Sequence, residues 1–95
     1  MAQTLDRQVL ISENDLGTVY FEDLWYVLND LTSFETILQR DIPIFDNGKA
    51  TKYFEDIWNE VAEDLGKDML DINVILMING FATRELEVYW EDLIT

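Results

Sequence analysis

Four residues recur in one register three times along this chain, so the fold has to be built from three copies of one unit. Asn14, Thr18, Glu22 and Trp25 return as Asn47, Thr51, Glu55 and Trp58, then as Asn79, Thr83, Glu87 and Trp90. The neighbours agree as well. Gly17, Ala50 and Ala82 precede the threonine, and Phe21, Phe54 and Leu86 follow it three residues later. The third copy departs furthest, with Glu85 in place of tyrosine and Val88 in place of aspartate. Self-similarity at a fixed period of this kind marks a supersecondary unit that buries its apolar face only against its copies.

Each copy reads as a turn followed by a helix. Asn, with glycine after it in two copies, tolerates the left-handed backbone of a tight turn. Thr is a good N-cap, because its hydroxyl can accept from an amide of the first helical turn. The glutamate comes four residues later, one too far for a capping box, but it suits the positive end of the helix dipole. Beyond it Tyr20, Phe21, Leu24, Trp25, Leu28 and Leu31 share a helical face, as do Phe54, Ile57, Trp58, Val61 and Leu65, and Leu86, Tyr89, Trp90 and Leu93. The tryptophans read as core anchors. Ahead of each Asn lies a β-prone run: Val9–Ile11, Ile42–Phe45 and Val74–Ile78, with Pro43 opposing a helix in the second. Thr32-Ser33-Phe34-Glu35 has the form of a capping box for a short extra helix carrying Phe34, Ile37 and Leu38, and Gly66 is placed to end the second long helix. These signals predict a single helix-rich α+β domain over residues 1–95, with repeats at about 8–40, 41–72 and 73–95. The competing reading makes residues 5–13 and 68–79 helical, giving paired helices and an all-α fold; periodicity alone does not separate short apolar strands from buried helix.

The charge is one-sided: 20 Asp and Glu against 6 Lys and Arg, a net −14. With 48% hydrophobic and 13% aromatic residues the chain lacks the low hydrophobicity of a disordered acidic segment. The expectation is a folded domain with a nearly uniform negative surface, which repels itself and favours contact with something basic. With no cysteine there is no disulfide framework or thiolate metal site, and with no histidine the usual general base and commonest metal ligand are missing. The longest apolar run, Val74–Ile78, is far short of the ~20 residues of a membrane span. Residues 1–7 lack the charged start and apolar stretch of a signal peptide. The expected location is the cytoplasm. Neither nucleic acid nor anionic lipid should bind directly to such a surface.

The acids concentrate on the helices, and this acidic face is the expected partner-binding site. The first helix contributes Glu22, Asp23 and Asp30, the second Glu55, Asp56, Glu60, Glu63 and Asp64, and the third Glu87, Glu91 and Asp92. Like charges three or four residues apart cost a helix a few tenths of a kcal/mol per pair, roughly. Asp56, Glu60 and Asp64 form an i, i+4, i+8 ladder that reads as having no lysine beside it. Parts for catalysis are lacking, so an enzyme is not expected. Ser12 and Ser33 are the only serines, neither in a Gly-x-Ser-x-Gly elbow, and Asn47–Thr51 lacks the spacing of a P-loop. Residues 64–71 carry oxygens without the alternating ligands of an EF-hand loop, so no metal or other cofactor is expected.

In size, net charge, helical acids and lack of catalytic residues the chain resembles the small acidic DNA mimics that phages and mobile elements direct against restriction, CRISPR and other nucleic-acid enzymes. That resemblance implies an inhibitor that sets carboxylates where a basic protein expects phosphates, acting in the host cytoplasm if phage-encoded. It carries over no family motif residue by residue. Two other readings stand beside it: an immunity-type module that caps one basic toxin without mimicry, and a structural protein that self-associates, as a homodimer for instance, through exposed Tyr26 and Phe81.

Overall fold

The computed structural model describes residues 5–30 and 36–94, which form three β-hairpin–helix units in succession. The first unit holds β1 (Ser12–Glu13), β2 (Leu16–Gly17) and α1 (Val19–Asn29). The second holds β3 (Phe45–Asp46), β4 (Lys49–Ala50) and α2 (Lys52–Leu65), and the third β5 (Met77–Ile78), β6 (Phe81–Ala82) and α3 (Arg84–Ile94). The fold is thus α+β, and residues 5–13 and 68–79 contain no helix, which removes the all-α alternative. The proposed capping box at 32–35 lies outside the described residues, and residues 36–39 after it are not helical.

Each recurring asparagine opens a two-residue hairpin turn. Asn14, Asn47 and Asn79 all have φ of 54°, followed by Asp15 at 66°, Gly48 at 84° and Gly80 at 88°. Two successive positive φ values characterise the type I′ turn, whose twist matches that of the strands it joins. The paired strands start later than the apolar runs suggest: in the first unit the ladder begins at Ser12, after Val9–Ile11. A second strand, absent from the sequence reading, follows each turn, pairing Ser12 with Gly17, Phe45 with Ala50 and Met77 with Ala82.

The threonine works in two directions. Its Oγ1 accepts from the amide of Phe21, Phe54 or Leu86 at 3.3–3.5 Å, which caps the helix. The same hydroxyl donates to the carbonyl of Leu10, Pro43 or Ile75 at 2.7–2.8 Å. The Thr amide adds a bond to the carbonyl of Ile11, Ile44 or Leu76. A hydroxyl both gives and receives a hydrogen bond, whereas an aspartate cap would only receive. The threonine therefore clips the helix start onto the segment that enters its own hairpin.

Neighbouring units join through the turns. Asp15 O accepts from Ile44 N and Phe45 N, Gly48 O from Leu76 N and Met77 N, and Gly80 O from Ile11 N and Ser12 N, all at 2.6–3.3 Å. Unit two sits on one, three on two and one on three, so the contacts close into a ring with pseudo-threefold symmetry. A Cβ at Gly48 would stand 2.5 Å from Met77 O, and one at Gly80 2.6 Å from Ser12 O. Glycine is required there for both its φ and the close approach of the next hairpin.

Inside the ring the three tryptophans meet. Trp25, Trp58 and Trp90 are fully buried, with ring centroids 5.8, 6.0 and 6.4 Å apart. Phe21 and Phe54 pack edge-on at 5.8 Å beside them, and Phe45 extends the cluster, 5.4 Å from Phe54. Burying an aromatic cluster of this size is the dominant apolar gain for so short a chain. Leu5, Leu38 and Leu70, also spaced by the repeat, are buried against it. As the sequence indicates, Gly66 ends α2 in the left-handed conformation, φ 70°, with Lys67 N reaching back to Ala62 O at 2.7 Å.

Candidate functional site: the acidic helix surface

The ring turns the apolar faces of the helices inward and leaves their carboxylates outside, but the eleven acids form two groups. The motif glutamates Glu22, Glu55 and Glu87 are half-buried, with side chains only 19–21% exposed, and all are ion-paired. Arg40 Nε stands 3.4 Å from Glu22, and Arg7 Nε 3.5 Å from Glu87, each pair crossing from one unit to the next. Arg7 and Arg40 are themselves repeat-equivalent, 33 residues apart; the third position in that series is Ile72. Glu55 instead takes Lys52 from its own helix at 3.3 Å, and Arg84 adds a second contact to Glu87 at 3.2 Å. Each motif glutamate thus helps to hold the ring or its own helix start.

The remaining acids, Asp23, Asp30, Asp56, Glu60, Glu63, Asp64, Glu91 and Asp92, are exposed. Asp56 pairs with Lys52 at 2.9 Å, so the ladder of α2 does begin beside a lysine, contrary to the sequence reading. The hydrogen bonds it donates to Asp56 and then Glu55 hold the Lys52 ammonium above its ordinary pKa of 10.5. Among the described residues no Lys or Arg lies within 4.0 Å of Asp23, Glu60, Glu63 or Glu91. Asn59, which shares this helix, turns inward to accept from Leu70 N at 2.9 Å.

Sequence reasoning missed the arginine clamps, although the 33-residue offset from Arg7 to Arg40 was there to be read. Each arginine lies seven residues ahead of its motif asparagine, outside the Asn-to-Trp pattern. No group of three acidic side chains among the described residues is arranged to hold a metal ion, and no helix among them is long and apolar enough to cross a membrane. The surface thus presents exposed carboxylates on all three helices. Comparison with protein-family models, curated proteins and solved structures finds no match for the chain.

Proposed function

We propose that this protein is an acidic inhibitor that occupies the basic groove of a nucleic-acid-binding protein, with the exposed carboxylates of α1, α2 and α3 in the place of phosphates. One observation carries this reading: four of the six basic residues are spent on the half-buried motif glutamates and Asp56, and among the described residues none lies within 4.0 Å of the exposed Asp23, Glu60, Glu63 or Glu91. Proteins that bind nucleic acid draw much of their affinity from neutralising a phosphate backbone with Lys and Arg. A rigid helix carrying Asp56, Glu60, Glu63 and Asp64 offers that groove fixed charges without the cost of ordering a flexible chain.

The reading is tested by capture from a host lysate on the immobilised protein, at low salt and again at ~0.5 M salt, where the Debye length falls below ~5 Å. The expected catch is a set of basic nucleic-acid enzymes released by salt and competed off by DNA or RNA. The variant Asp56→Asn/Glu60→Gln/Glu63→Gln should capture less while unfolding at the same or a higher temperature. A single protein that survives the salt wash and ignores nucleic acid overturns mimicry in favour of an immunity-type partner.

A further inference from the structure

The three hairpins differ most in charge. No Asp, Glu, Lys or Arg occurs from Ile72 to Thr83, the longest uncharged stretch of the chain. The equivalent stretch of unit two carries Arg40, Asp41, Asp46 and Lys49, and that of unit one Arg7, Glu13 and Asp15. The contrast is sharpest in the cross-strand pairs that flank the turns. Asp46 stands opposite Lys49 in hairpin two and Glu13 opposite Leu16 in hairpin one, whereas hairpin three pairs Ile78 with Phe81. Residues directly opposite in a ladder share one side of it. Both side chains are exposed, Ile78 by 58% and Phe81 by 38%. Leu10 of unit one, also exposed, adjoins them, since its Cδ2 would lie 2.7 Å from a Cβ on Gly80 in the turn between the two. Charged side chains on a hairpin are a common guard against pairing with another molecule, and of the three hairpins the third has none.

We infer that hairpin three is the contact through which two copies of this chain form a closed dimer. The charge distribution selects the occupant. A basic partner gains no ion pair from a segment without carboxylates, so this face is separate from the acidic helix surface and does not rest on the decoy reading. Two copies at −14 each repel wherever their helix faces meet, and the uncharged hairpin is where their approach costs least. Ile78 and Phe81 of one copy pack on the same pair of the other about a twofold axis. Hairpins one and two keep their charges, so each copy offers one such face and assembly stops at two. The contact is small, which makes the dimer weak and reversible. Glu13 and Asp15 line the seam beside Asn79 and Gly80 and add repulsion at its rim. Association should therefore strengthen with salt, the opposite of capture by a basic partner.

The test is sedimentation equilibrium of the purified protein over a range of concentrations, at ~0.05 M and at ~0.5 M salt. The mass should rise from 11.2 kDa towards twice that value, with a dissociation constant about tenfold lower at the higher salt. The variant Ile78→Asp/Phe81→Lys installs the pair that unit two carries at these positions, so the hairpin has a precedent for it and the net charge is unchanged. It should associate about tenfold more weakly or not at all, while a dilute sample at low salt unfolds at the wild-type urea midpoint. In the wild type, dilution of the isotope-labelled protein should move amide resonances at residues 75–83 and leave those of α2 in place. A mass of 11.2 kDa under every condition, the outcome if this face serves an unrelated protein, overturns the dimer. Equal association by the variant, growth beyond two copies or dilution shifts centred on the helices overturns it as well.

Discussion

Units one and two are the most alike in sequence, yet they satisfy the same local needs by different means. Trp25 donates its indole N–H to the buried Thr36 Oγ1 at 2.8 Å, and Asn29 Oδ1 accepts in turn from that hydroxyl at 3.1 Å. Trp58, equally buried, has no partner for Nε1 among the described residues: at the positions equivalent to Asn29 and Thr36 stand Ala62 and Met69. Unit one turns its hairpin on Asn14-Asp15, unit two on Asn47-Gly48. Glu22 is clamped from the next unit by Arg40, Glu55 from its own helix by Lys52. What stays constant is the backbone ring and the packing of its three indoles; the polar accessories are free to vary from unit to unit.

Removing an indole should hurt most. Trp58→Ala and Trp25→Ala are each expected to cost about 3–5 kcal/mol in urea unfolding, enough to unfold a domain of this size. The sharper comparison is with phenylalanine. Trp25→Phe should exceed Trp58→Phe by about 1 kcal/mol, because only Trp25 gives up a hydrogen bond. Equal costs would mean that the unit-one network contributes nothing.

Next come the turns. Gly48→Ala drives a Cβ into Met77 O and strains a positive φ, and should cost about 2 kcal/mol or more. Asp15→Gly should do the reverse and raise the thermal midpoint by an amount equivalent to about 0.5–1 kcal/mol. A loss of stability there would show that Asp15 has a structural partner of its own. For the threonine clip, Thr51→Asp keeps the cap but loses the bond to Pro43 O, and is expected to cost about 1 kcal/mol where Thr51→Ser costs a few tenths.

The ion pairs should matter least. Arg40→Gln is expected to cost about 0.2–1 kcal/mol at low salt and less as salt rises. Its effect should persist into alkali, since the guanidinium keeps its charge. Lys52→Gln should not behave so. With the folded-state pKa raised above 10.5, the ammonium stabilises the protein below that pH, and the contribution disappears as pH climbs through the raised value. Unfolding curves of wild type and Lys52→Gln should therefore converge above pH 10.5.

Much of this scaffold was open to reading from the residues. The Asn turns, the Thr caps, the inward tryptophan face and the Gly66 stop all follow from local chemistry, because each depends on atoms within a few residues. The strands Leu16–Gly17, Lys49–Ala50 and Phe81–Ala82 were not legible: two residues are too few to show an alternating pattern, and Gly17, Ala50 and Ala82 favour no strand. Nor does any local signal announce that Asp15 O reaches Ile44 N, a bond set by how the units dock. For the acidic surface, the exposure of Asp23, Glu60, Glu63 and Glu91 follows from helical phase, while the half-burial of the motif glutamates required knowing where Arg7 and Arg40 arrive.

The bonds from Ile11 and Ser12 to Gly80 O have a further consequence for how the molecule comes into being. A chain leaving the ribosome exposes Ile11 and Ser12 long before Gly80, so an early segment must wait for a late one. Until then the first unit has an open side and the tryptophan cluster lacks its third member. Contacts of such long sequence separation slow folding and make it cooperative. This protein should consequently appear in one step after most of it has been synthesised, with no stable half-built form for a protease or a chaperone to hold.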